Sequence, residues 1–239
     1  ALSIARNIAV DCKMPVAYFS LDKKRNDLVF RLISQESGVP LPKMLDWNSL
    51  DVDERKAIYG AMKELGETPL YLDDTSVNAV QIRSRCYNLF IRYGVQMVIV
   101  DCIQFVKTSA NGNNRHDPES EVASVARQLR ELARELRIPV LALSQFNRAV
   151  DFRKGGVPHL ADLRGSEAIE EYADNVIGIY RPSYYGISKD KSGNDTDNLA
   201  ILEVWKSQSG ETGEIRLHFD KGSRRFSNNS EPAHDLPAV

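Results

Sequence analysis

The stretch QMVIVDCIQF, residues 96–105, sets an apolar run, Met97-Val98-Ile99-Val100, against a carboxylate at its end, Asp101. No Lys or Arg stands within five residues of that aspartate; Lys107 lies just beyond. Continuous apolar runs mark strands covered on both faces. Four more recur along the chain: VAYFSL at 16–21, PLYLD at 69–73, PVLALSQ at 139–145 and NVIGIY at 175–180. Helical patterns lie between most of them, at 27–37, 51–65, 78–93 and 119–137. The second opens on Asp51 with Glu54 three residues later, the signature of a capped N-terminus. The last repeats Val122, Val125, Leu129, Leu132 and Leu136 at three-four spacing, with Arg and Glu filling the other face. Strands alternating with helices predict an α/β fold: a mainly parallel twisted sheet with helices on both faces. The last section differs. LAILEVWKS (199–207) and GEIRLHF (213–219) flank a short glycine-containing connection and predict a C-terminal antiparallel hairpin. Loops are expected at 108–118, 152–161 and 183–198, with one domain over residues 1–226 and a disordered tail over 227–239.

Composition narrows the functions open to such a chain. Its 239 residues suffice for one substantial core, and 42% hydrophobic with 27% charged residues is ordinary for a soluble globular protein. A net charge of −2 supplies no overall basic field, so any nucleic-acid contact must come from local loops. Cys12, Cys86 and Cys102 are scattered and form no CxxC pair. That points to a reducing, cytoplasmic compartment and away from a disulfide frame or a zinc site. No apolar run approaches the about 20 residues that cross a bilayer, so no membrane partner is expected. The opening ALSIARNIAV lacks a signal peptide's layout and reads as an amphipathic helix already under way, with no capping residue before it.

In a parallel α/β sheet, ligands sit outside the carboxyl ends of the strands. Asp101 ends its strand there, and a divalent cation on a nucleotide's phosphates is the natural counter-charge. The alternative is an aspartate capping the next turn. VAYFSLD ends at Asp22 and LALSQ at Ser144-Gln145, so further polar groups collect at the same sheet edge. A carboxylate at that edge can orient an attacking water, and an uncharged Gln can sense a terminal phosphate. Taken singly, Asp22 also reads as a cap for the helix after Lys23, and Gln145 as a loop hydrogen-bonder.

The blocks LARELRIPVLALSQFNRAV and DLRGSEAIEEYADNVIGIYRP, with VAYFSLD, PLYLDDT, VIVDCIQ and WKSQSGETGEIRLHFD, carry a resemblance over nearly the whole chain. The sequence resembles the C-terminal motor domain of DnaB-type replicative helicases, a RecA-like ATPase. The resemblance implies an ATP-driven DNA helicase that works as a ring homo-hexamer on single-stranded DNA, with ATP and Mg²⁺ as cofactors and a helicase loader and primase as partners. It assigns Asp101 to Mg²⁺, Gln145 to the γ-phosphate and Asp22 to the place of a water-activating glutamate. Lys206 and Gln208 fall where the family has a Lys and an Arg that reach into the neighbouring subunit's site. Arg164, Gly165 and Glu167 fall on the loop that grips the strand in the central channel.

The chain also departs from that family. No GxxxxGK[ST] phosphate loop occurs, and the sequence is expected to begin just after one. Asp22 is one methylene shorter than the family's glutamate, and a displacement of about 1 Å can cost on the order of 10²-fold in rate. Gln208 is neutral where an arginine finger contributes roughly 10³ to 10⁵ in turnover. Lys206 beside it offers a point charge without the bidentate fork. Gly165 and Glu167 stand where the family has an acidic residue and a glycine. These changes keep a second reading open: a catalytically degenerate module that binds DNA or a partner and hydrolyses ATP weakly or not at all. Arg148, Arg153, Lys154 and Arg164, with Lys107 and Arg115 on the preceding loop, suit phosphate tracking or are a solvated surface. Tyr184 and Tyr185 read as base-stacking or surface-loop residues.

Overall fold

The computed structural model describes residues 1–107, 118–163, 165–190 and 192–228. Strands β1 (Val16–Ser20), β2 (Leu70–Asp73), β3 (Met97–Asp101) and β4 (Val140–Ala142) form a parallel sheet in the order β2-β1-β3-β4. Every residue of β1 and the middle three of β3 are buried, because helices cover both faces. On one face, α1 (Leu2–Arg6) and α2 (Arg25–Ser37) bring Ala5 and Leu28 onto Val16, Tyr18 and Ile99. On the other, α5 (Ala79–Tyr93) and α6 (Pro118–Leu136) bring Ile82, Cys86 and Leu132 onto Ala17, Phe19 and Val98. All five apolar positions read from the α6 periodicity are buried. Between these layers' elements come a short α3 (Leu41–Met44) and α4 (Val52–Gly66), which packs on α2.

Local chemistry sets the element ends. The Asp51 carboxylate accepts from the Asp53 and Glu54 N–H groups, and Glu54 accepts from the Asp51 N–H, closing the expected capping box. Gly38 (φ 72°) and Gly94 (φ 64°) end α2 and α5 in the left-handed conformation. The opening helix is α1 followed by a π-helical turn, Asn7–Asp11. Its Arg6, only 6% exposed, is tied to both Glu36 of α2 and Asp11.

The second sheet is antiparallel, in the order β5 (Asn175–Tyr180), β6 (Leu199–Ser207), β7 (Gly213–Asp220), β8 (Arg225–Asn228). The β6–β7 pair is the expected hairpin. NVIGIY, which reads as a strand of the parallel sheet, pairs instead with β6. Its burial alternates, leaving Ile177 and Ile179 about half exposed, so it is covered on one face only. The last strand takes in Ser227 and Asn228, beyond the expected domain end; residues 229–239 lie outside the described ones. A short helix, α7 (Ser166–Tyr172), leads into β5. Among the described residues no ladder joins β4 to β5. The sheets meet through side chains: Phe146, just past β4, packs edge-on against Trp205 of β6, and Val176 enters the α5–α6 core.

Candidate active site

Asp101 is the last residue of β3, level with Ser20 in the β1–β3 register, and its carbonyl accepts the Leu21 N–H at 2.6 Å. The peptide bond that follows it is cis. Asp22 lies two residues beyond β1, exposed, with Lys23 at 3.0 Å. It does not cap α2: the capping position is Lys24, and the Arg25 N–H goes to Asp74, just past β2. Ser20 holds the Asp22 loop from below, its hydroxyl donating to the Lys23 carbonyl at 2.6 Å. Burial pushes the Cys102 thiol up to about 11, with the charges of Asp101 and Asp22 adding to the effect.

Gln145 reaches that edge from β4. The Leu143 N–H donates to Val100 and the Leu143 carbonyl accepts from Ile103, extending the β3–β4 contact past the strands. The Gln104 amide then donates to the Ser144 hydroxyl at 2.7 Å and accepts the Gln145 N–H at 3.3 Å. The Gln145 side chain is exposed and has no hydrogen-bond partner among the described residues. Asp22, Asp101 and Gln145 therefore stand at the carboxyl ends of three adjacent strands.

Asp101 has a partner the sequence did not reveal. The Tyr18 hydroxyl donates to Asp101 Oδ2 at 2.7 Å. Burial and the Asp101 charge push that hydroxyl's pKa up, so it stays a donor. The carboxylate caps no turn: the short helix after it begins at Cys102 without a side-chain cap. Among the described residues no cationic side chain forms an ion pair with Asp101, whose charge acts instead on the Ala1 amino group, and its Oδ1 accepts no hydrogen bond. No cluster of three or more His, Cys, Asp or Glu is placed to hold a metal there either. One free carboxylate oxygen fits Mg²⁺, which keeps several waters and takes one or two carboxylates plus phosphate oxygens. It does not fit zinc. Tyr18 went unnoticed because a tyrosine in VAYFS counts as an apolar strand residue.

The remaining predicted residues lie elsewhere. Lys206 sits on β6 and donates to the Glu170 carbonyl of α7, and Gln208 is exposed just after β6. The segment after β4 folds back on itself, closed by a Phe146–Leu163 bridge and by the Asn147 N–H on the Asp162 carbonyl. Arg148 and Lys154 are exposed on it. Arg153 is not available to a ligand, because it forks onto Asp162 at 2.7 and 2.8 Å. Gly165 (φ 70°) precedes α7, Glu167 is exposed in its first turn, and Arg164 and Arg115 fall outside the described residues. Tyr185 stacks on Tyr180 and covers Gly156, a packing role, while Tyr184 is 72% exposed.

A parallel sheet with this edge is of the α/β class that takes ligands at the carboxyl ends of its strands. Residues 1–228 match the DnaB-like helicase C terminal domain, and the chain belongs to that family. It is 34% identical over 231 residues to the replicative DNA helicase DnaC of Bacillus subtilis, and 35% over 227 residues to the replicative DNA helicase DnaB of Leifsonia xyli. Each match takes in 95% of this chain but 49% and 48% of those relatives, so the chain spans about half their length. Among solved structures, an ATPase domain superposes with a TM-score of 0.83 at 23% identity, over 96% of this chain and 80% of that one. A DnaB-like replicative helicase, described with its interactions with primase, gives 0.82 at 23% identity, over 96% of this chain and 55% of that one. These two likenesses concern the fold, RecA-like in architecture. Among the described residues no helix is long and apolar enough to cross a membrane.

Proposed function

We propose that this chain is the motor portion of an ATP-dependent replicative DNA helicase. In the proposal it works in the cytoplasm as a ring hexamer on single-stranded DNA, with a helicase loader and primase as protein partners. The observation that carries the reading is the placing of Asp22, Asp101 and Gln145 at or just past the carboxyl ends of three adjacent strands in a chain of this family.

Asp101 would hold Mg²⁺ through its free oxygen, and the metal would there supply positive charge to the phosphates of ATP. Asp22, exposed in a turn that Ser20 closes through the Lys23 carbonyl, orients the attacking water and takes its proton. Gln145, an amide without an internal partner, reads the terminal phosphate. Lys206 supplies positive charge across the interface, for which it must leave the Glu170 carbonyl. Arg148, Arg164, Gly165 and Glu167 follow the strand's backbone.

In the full-length protein, ATP- and Mg²⁺-dependent unwinding of a forked duplex is expected, and Asp101→Asn should abolish it. Absence of unwinding by the unaltered protein would refute the reading. Asp22 and the neutral, exposed Gln208 favour a second reading, the catalytically degenerate module. Under it, Asp22→Glu with Gln208→Arg raises ATP turnover sharply from a near-zero base; under the first, the unaltered protein already turns over.

A further inference from the structure

Tyr18 belongs to β1, every residue of which is buried, yet it carries a polar atom into an apolar cluster. Its side chain is 1% exposed and packs with Ala5, Ala9, Leu28 and Ile99. Phenylalanine would fill that space equally well, so the hydroxyl has to be explained by what it touches. In the register, Tyr18 is level with Ile99 of β3, and Asp101 lies two residues further on the same face. That diagonal is the one a long aromatic side chain spans between neighbouring strands. The ring points along it, and its hydroxyl meets Asp101 Oδ2 at 2.7 Å.

The contact has a directional consequence. A carboxylate at a strand end is free to turn about its side-chain torsions, and both oxygens are equivalent until something distinguishes them. Here one oxygen is held from inside the sheet by a neutral donor, while Oδ1 has no partner among the described residues. A cation in that place would compete with a metal, whereas a hydroxyl leaves the negative charge in force. We infer that Tyr18 is a positioning residue for the metal carboxylate, fixing Oδ2 of Asp101 so that Oδ1 is presented, singly and outward, to a divalent cation. The inference rests on the assignment of Asp101 to Mg²⁺ in the proposed function. Partners that orient a ligating group in this way typically change metal affinity by about 10- to 100-fold when removed.

The test is Tyr18→Phe in the full-length protein, which removes one oxygen and keeps the ring. Mn²⁺ binding is followed by electron paramagnetic resonance with a non-hydrolysable ATP analogue present, so that no turnover enters the readout. The Mn²⁺ dissociation constant is expected to rise about tenfold, with analogue affinity at saturating metal changed by less than about twofold. Tyr18→Met removes the same hydroxyl from a more adaptable side chain and serves if the first variant does not fold. An unchanged or tighter metal constant in the folded variant overturns the inference. Asp101→Asn, measured beside it, separates the two layers. Loss of metal binding there with none in Tyr18→Phe leaves Asp101 as the ligand and refutes the role of Tyr18. Unaltered binding in Asp101→Asn brings down the metal assignment itself.

Discussion

Arg153 forks both terminal nitrogens onto Asp162, and the same carboxylate accepts the His159 N–H at 2.7 Å. Arg153 also donates to the Val157 carbonyl, so one guanidinium closes the loop that follows β4. The Arg153 hydrogen bonds, more than any other cause, hold the Asp162 carboxyl below the usual carboxylate range. A carboxyl with a depressed folded pKa contributes stability above its unfolded value of about 3.9 and loses it as pH falls through the folded value. Arg153→Gln should therefore lower Tm at pH 7, and the gap from the unaltered protein should close as thermal melts are taken progressively below pH 4. A gap that persists undiminished in acid would mean the loop is held by packing instead. In sequence Arg153 and Arg148 are alike loop cations, because their difference lies in a partner nine residues from Arg153 that only the folded loop brings round. Asp101, by contrast, was legible: an ionisable group closing an apolar run in a parallel sheet has few places to go but the ligand edge.

At the scale of the element, the regular parts were written in local pattern and the irregular ones in pairing. The α6 periodicity and the α4 capping box depend only on residues a turn or so apart. Strand β5 reads as part of the parallel sheet because Val176–Tyr180 looks apolar throughout, yet its neighbour is decided by β6, whose Ile201 pairs with Tyr180 from twenty-one residues on. Gly178 is the residue that makes the β5–β6 pairing work. A Cβ there would lie 2.3 Å from the Trp205 indole, which crosses β5 at that point and reaches Phe146 beyond. Gly178→Ala must push the indole aside, at a cost of about 1–3 kcal/mol for overpacking a closed contact. The expected result is a lower Tm together with a red shift of Trp205 emission, read in a Trp47→Phe background; a Tm within error of the parent would show that the ring has room to yield.

For the molecule as a whole, the two sheets differ in how they are fastened. The parallel sheet is clasped from both faces, whereas the antiparallel sheet joins it through Trp205, Val176 and the α7 segment. The Arg6 pairing with Glu36 locks α1 onto α2, and the Phe226 N–H on Ser3 brings β8 to the same corner. Between β4 and β5 nothing comparable is present among the described residues. Strands β4 and β5 are each paired on one side only, with β3 and β6, while β1 and β3 have a ladder on either side. Deuterium uptake should follow this pairing: earlier labelling along Val140–Ala142 and Asn175–Tyr180, where each strand has a single neighbour, and later labelling along Val16–Ser20 and Met97–Asp101.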